Sequence, residues 1–172
     1  MRDRLGYVPQ KGILFSGTID SNLRYGRKEA SSEEIEKAAQ VAQALTFIRE
    51  KEDGMDAPIA QGGTNVSGGQ KQRLSIARAI ARNPEIYIFD DSFSALDYKT
   101  DATLRKALKE YTKDATTLIV AQRISTILHA DQILVLDDGV VVGKGTHKEL
   151  LKSCEVYQLI ARSQLSEEEL EA

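Results

Sequence analysis

Two residue groups between Asn65 and Asp97 have the types and spacing to handle a phosphorylated ligand. The first is Val66-Ser67-Gly68-Gly69-Gln70, which opens a helical pattern. Glycines there let backbone N–H groups approach a ligand closely. The first turn of a helix leaves such N–H groups unpaired and carries partial positive charge, so it suits a phosphate. The second is Asp90, which closes the apolar run Ile86-Tyr87-Ile88-Phe89. A carboxylate at the carboxyl end of a buried strand is where a nucleotide-binding fold places a Mg²⁺ ligand. Each group alone has a plainer explanation. A glycine pair can simply cap a helix, and the pair Asp90-Asp91 can sit in a solvated turn.

The elements that must position these groups follow from periodicity and punctuation. After the glycines, Leu74, Ile76, Ala77, Ile80 and Ala81 cover a broad helical arc, with Lys71, Ser75, Arg78 and Arg82 opposite. Arg73 lies inside the apolar arc. It is either a snorkelling side chain or a paired arginine that fixes the glycine loop. Asn83-Pro84 ends the helix. Upstream, Leu5-Gly6-Tyr7-Val8 reads as a strand stopped by Pro9, with Gln10 at its end. A short helix is expected from Ser16 to Tyr25, capped by Ser16 or Thr18. Ser31-Ser32-Glu33-Glu34 is a capping box, and Ile35, Ala38, Ala39, Ala42 and Leu45 recur at helical spacing behind it. Lys51 to Asn65 reads as a loop broken by Pro58.

Downstream, helical spacing returns from Tyr98 to about Tyr111. Thr117-Leu118-Ile119-Val120-Ala121 is a second apolar run, suited to a parallel strand covered on both faces. The helix between the two runs makes a βαβ crossover. A short helix from Ile124 to His129, a strand from Gln132 to Leu136 and an Asp138-Gly139 hairpin into Val140-Val141-Val142 follow. Thr146-His147-Lys148-Glu149 is another capping box, opening a helix to about Lys152. A last helix runs from about Glu155 to Gln164, and the acidic tail Glu167-Glu168-Glu169 is expected to fray. His129 and His147 read as surface or capping residues.

Bulk properties narrow the function classes. The 172 residues suffice for one domain with a real core. The net charge is −3, so charge alone gives no nucleic-acid binding, and no such partner is expected. One cysteine, Cys154, excludes an internal disulfide and a cysteine-based zinc site. No apolar run approaches membrane-spanning length, and Met1-Arg2-Asp3-Arg4-Leu5 lacks the apolar core of a signal peptide.

The glycine loop and the aspartates together, at this spacing, resemble the signature motif and the Walker B motif of the ATP-binding-cassette (ABC) ATPases. The resemblance covers the whole chain in the family's order. Tyr7-Val8-Pro9-Gln10 is similar to the Q-loop, and Ser94-Ala95-Leu96-Asp97 to the D-loop, where Asp97 can also cap the next helix. Phe15-Ser16-Gly17-Thr18-Ile19, Asn22-Leu23 and Tyr25-Gly26 resemble the exporter branch, of the bacterial multidrug type. The resemblance implies an α/β fold: a P-loop NTPase-like ATPase domain with a parallel core sheet and an inserted helical subdomain. It divides the chain into a Q-loop region (1–26), the helical subdomain (27–65), the signature, Walker B, D-loop and switch region (66–130), and a C-terminal hairpin with helices (131–172).

The resemblance also implies roles. Asp90 would ligate Mg²⁺, with the Gln10 amide oxygen near the metal or the attacking water. Ser67, Gly68, Gly69 and Gln70 would meet the γ-phosphate of an ATP held by a second ATPase subunit, and Asp97 would cross the interface to it. Two positions depart from the family. Its catalytic glutamate is replaced by Asp91, one methylene shorter, and a misplacement of about 1 Å can cost roughly a hundredfold in rate. Its switch histidine is replaced by Gln122, which cannot become a cation. Asp91 and Gln122 would therefore sit at weakened catalytic positions, and the partner is expected to be a different subunit. No G-x-x-x-x-G-K-[ST] phosphate loop occurs in these residues, so the resemblance covers roughly the last two-thirds of such a domain, its N-terminal part missing. The expected setting is the cytoplasmic side of a cell membrane, held there by an exporter's transmembrane domain. Two other readings stay open: a truncated, non-catalytic module that binds no nucleotide alone, and a soluble ABC-type ATPase, although no sustained heptads are present.

Overall fold

The computed structural model describes residues 4–170. Met1, Arg2 and Asp3 of the N-terminal segment considered above lie outside the described residues. The chain divides into two compact units, Met1–Val120 and Ala121–Ala172. The switch residues 121–130 therefore group with the C-terminal hairpin and not with the signature and Walker B segment.

The first unit is built on a three-stranded parallel sheet in the order β1-β4-β5, with β1 Leu5–Val8, β4 Ile86–Asp90 and β5 Thr116–Val120. Two-residue strands β2 (Gly17–Thr18) and β3 (Pro58–Ile59) pair antiparallel. The second pair was not foreseen in the loop around Pro58, because two residues carry no readable period. Helices α1 (Ile19–Arg24), α2 (Ser32–Val41), α3 (Leu45–Arg49), α4 (Gly68–Ala81) and α5 (Tyr98–Tyr111) complete the unit.

Local chemistry sets the helix starts. Thr18, Ser31 and Ser67 each accept from the backbone N–H three residues on, and the side chains of Ser21, Glu34 and Gln70 answer to the cap N–H. Asp97 caps α5 by accepting from Thr100 N at 2.9 Å. Each cap stabilises its helix by about 1 kcal/mol. The α2 spacing does not continue to Leu45: the helix ends at Val41, Gln43 takes φ 56°, and α3 starts afresh.

One core joins β1, β4 and helices α1 to α5, with Tyr87, Phe89, Leu74, Ile76, Ile80 and Leu104 almost fully enclosed. Helix α4 is its axis. The arc of Lys71, Ser75, Arg78 and Arg82 does not face water as a whole: Ser75 is buried, and Arg78 is enclosed by the segment Ile13–Tyr25. The expectation for β5 also needs correction. Leu118 and Val120 are half exposed (52% and 51%), on the same sheet face as Tyr7, Ile88 and Asp90. The opposite face is the better covered one: Val8, Tyr87 and Phe89 there are buried in the core shared with the helices, while Ile86 and Ile88 on the first face are only partly covered.

The second unit contains α6 (Ile124–Ile127), the hairpin of β6 (Ile133–Asp137) and β7 (Val140–Gly145), then α7 (His147–Ser153), α8 (Glu155–Gln164) and α9 (Glu167–Leu170). Asp138 and Gly139 both have positive φ, 46° and 77°, as a tight two-residue hairpin requires. Ile133, Val135, Leu150, Tyr157 and Ala161 form its core. His147 is not a surface residue. It is 4% exposed, and its Nδ1 lies 2.8 Å from the Tyr157 hydroxyl. The acidic tail does not fray at once but forms the short α9, whose Leu170 packs against this core.

Candidate functional site

The carboxyl ends of β1 and β4 bring together residues that are far apart in sequence. Gln10 Nε2 donates to Asp91 Oδ2 at 3.1 Å, and the Tyr7 hydroxyl donates to Asp90 Oδ2 at 3.1 Å. The bond to the Asp90 carboxylate holds the Tyr7 phenol above its usual pKa range. Ser92, fully buried, locks the two strand ends by donating to Val8 O at 2.9 Å. Asp91 itself sits in the left-handed region, φ 42°, which is unusual for a residue with a Cβ. Its backbone is held there by Asp91 N donating to Val120 O (2.9 Å) and by Ser94 Oγ donating to Asp91 O (3.0 Å).

The loop that carries Gln10 is pinned from α4. Gln72, buried, accepts from Gly12 N at 2.9 Å and donates to Pro9 O at 3.1 Å. Sequence reasoning missed both Tyr7 and Gln72. Their signals depend on pairing across 83 and about 60 residues, which no local pattern carries.

Ser67, Gly68, Gly69 and Gln70 form the second group, at the amino end of α4. The plain capping explanation holds here: Ser67 Oγ accepts from Gln70 N at 3.2 Å, and Gln70 Oε1 accepts from Ser67 N at 3.1 Å. Above Gly68 the space is open, since an added Cβ would meet nothing within 4 Å. Gly69 instead packs on the turn before α5, where a Cβ would lie 3.4 Å from Ala95 O. That turn leads to Asp97, whose carboxyl is held below its usual range, first by the Thr100 N–H and also by the charge of Arg73. Arg73 is the fixing arginine rather than a snorkelling one. It donates to Gln43 O at 2.7 Å and to Gly69 O at 3.4 Å, and it lies 4.7 Å over the Phe47 ring. Burial lowers its pKa from the usual value.

Gln122 belongs to the second unit, where its backbone oxygen accepts from Gln164 Nε2 at 2.9 Å. Among the described residues, no group of three or more His, Cys, Asp or Glu could hold a metal by itself. The oxygen donors at the β1–β4 ends suit Mg²⁺, which takes one or two carboxylates and completes its shell with water and substrate phosphates. No helix of the described residues is long and apolar enough to cross a membrane.

Comparison with known proteins identifies the family. A family model described as ABC transporter matches residues 1–94. The chain is 49% identical over 168 residues to the uncharacterized ABC transporter ATP-binding protein YfiB of Bacillus subtilis, covering 98% of this chain and 29% of that protein. It is 46% identical over 158 residues to a putative multidrug export ATP-binding/permease protein of Staphylococcus aureus, covering 92% and 27%. The chain thus spans under a third of the length of these relatives. Its fold superposes on a solved structure of a bacterial Atm1-family ABC exporter with ATP bound, at a TM-score of 0.92 and 39% identity, over 96% of this chain and 29% of that one. The resemblance first carried by Ser67-Gly68-Gly69-Gln70 and Asp90 holds along nearly the whole sequence: the chain belongs to the ABC transporter family, as part of an ATP-binding module.

Proposed function

We propose that this chain works within an exporter, where ATP binding and hydrolysis drive transport across a membrane. The observation that carries this is the meeting of Gln10 with Asp91 beside Asp90, at the end of the central parallel strand. Asp90, with the Gln10 amide oxygen, would hold Mg²⁺. When bound, Mg²⁺ would neutralise charge on the phosphates of ATP. Gln10 orients the Asp91 carboxylate by donating to Oδ2. Asp91 and Gln122 take the positions of base and switch, weakened by their shorter or uncharged side chains. Ser67, Gly68, Gly69 and Gln70 face the ATP of a second subunit. The capping box uses the N–H groups of Ser67 and Gln70, and those of Gly68 and Gly69 are presented to the phosphate. Asp97 lies at that interface. The chain reaches the cytoplasmic side of the membrane through a transmembrane domain that these residues do not include.

Because Asp91 is short while the signature residues are intact, the second ATPase subunit is a different one, carrying the stronger base. Paired substitutions in the complete transporter test this. Ser67→Arg puts bulk and charge against the partner's ATP and abolishes turnover. Asp91→Asn leaves most turnover, because hydrolysis takes place at the other site. If Asp91→Asn stops hydrolysis as completely as Ser67→Arg does, the two sites are equivalent and the asymmetric reading is wrong.

A further inference from the structure

Strand β1 and the loop that follows it send two side-chain donors to the end of β4, and only that of Gln10 is absorbed by the reading above. The other is the Tyr7 hydroxyl. Parallel register pairs Tyr7 with Ile88, two residues before Asp90, so all three side chains stand on one face of the sheet. A two-residue stride along a strand is about 6.6 Å. A tyrosine spans that distance, and its hydroxyl meets Asp90 Oδ2 at 3.1 Å. The ring itself is 56% exposed, so it is not held there by core packing. Leucine or phenylalanine at this position would fill the same space and leave the carboxylate free to turn.

We propose that Tyr7 is a positioning residue: its hydroxyl engages Oδ2 of Asp90 and so presents Oδ1 alone to the divalent cation that accompanies the nucleotide. This rests on the reading that Asp90 is the cation's ligand. A carboxylate restricted to one oxygen suits Mg²⁺, which demands near-octahedral geometry at short distance. A carboxylate free to offer both oxygens suits Ca²⁺, which accepts bidentate ligands at longer distance. Tyr7 therefore favours the smaller ion.

The test is Tyr7→Phe in the complete transporter, which removes one oxygen atom and keeps the ring. Binding of a non-hydrolysable ATP analogue is titrated with Mg²⁺ and, separately, with Ca²⁺. The half-saturating Mg²⁺ concentration rises about tenfold, the lower end of what loss of a hydrogen-bond partner to a metal ligand costs. The Ca²⁺ value moves less, so the preference for Mg²⁺ over Ca²⁺ shrinks. Equal changes for both ions would mark a merely structural role and overturn the proposal, and so would no change for either. If the unsubstituted protein binds the analogue without any dependence on divalent cations, Asp90 is not a cation ligand, and the functional reading falls together with this one.

Discussion

Gln10 and Asp91 stand 81 residues apart in the chain, yet the amide of one donates to the carboxylate of the other at 3.1 Å. The contact is exposed, so its sign can be reversed without disturbing the core. Gln10→Glu sets a second carboxylate against Asp91, whereas Gln10→Ala only removes the donor. The glutamate variant should melt at a lower temperature than the alanine variant at neutral pH. Scanning calorimetry of the two side by side checks this, and equal midpoints would mean the residues are not neighbours in solution.

Arg78 is a structural hub rather than a solvated face of α4. It donates to Asn22 O (2.9 Å), Ile13 O (2.9 Å) and Asn22 Oδ1 (2.8 Å), and its guanidinium lies 5.1 Å from the Phe15 ring centre and 5.8 Å from that of Tyr25. Lysine keeps the charge but cannot make these bonds as a planar fork. Arg78→Lys should destabilise the first unit by about 2–3 kcal/mol, as expected for lost charge-assisted hydrogen bonds. Denaturant titration measures it.

His147 makes the second unit pH-sensitive. Burial, and then the nearby charges of Lys148 and His129, lower its pKa from the ordinary value of 6.5. Its Nε2 is buried with no hydrogen-bond partner among the described residues, so the imidazolium, which carries an N–H on both ring nitrogens, can place only the one at Nδ1, on the Tyr157 hydroxyl. The unfolded chain then binds a proton more readily than the folded one, and stability falls as pH drops below about 6.5. His147→Gln should flatten that dependence. Thermal melts followed from pH 8 to pH 5 on both proteins show whether it does.

Local chemistry made part of the fold legible. The capping boxes at Ser31 and Thr146 mark the starts of α2 and α7, and the Asn83-Pro84 pair marks the end of α4. Asp90 fell at the end of a strand because an apolar run followed by acidic residues has few other uses. What hydrophobicity could not report is which neighbour covers a strand. Leu118 and Val120 read as buried, but one face of β5 stays half open. Arg78 and His147 misled for the opposite reason, since polar side chains with partners elsewhere in the chain look the same as solvated ones. Tyr7 lay inside a recognised motif, yet its bond to Asp90 depends on strand register, which forms only once the sheet does.

Gln72 has a mechanical consequence. Its side-chain amide grips the chain on both sides of Gln10, at Pro9 O and Gly12 N, and an added Cβ at Gly12 would lie 2.7 Å from Ser75 Oγ on the same helix. The loop therefore has almost no slack against α4. A few degrees of tilt in that helix would carry the Gln10 backbone with it as a lever carries its tip, while thermal motion left to Gln10 alone is confined to swings of its side chain. Amide exchange gives the stiffness directly: the Gly12 N–H should exchange at the pace of α4, not at that of an exposed loop.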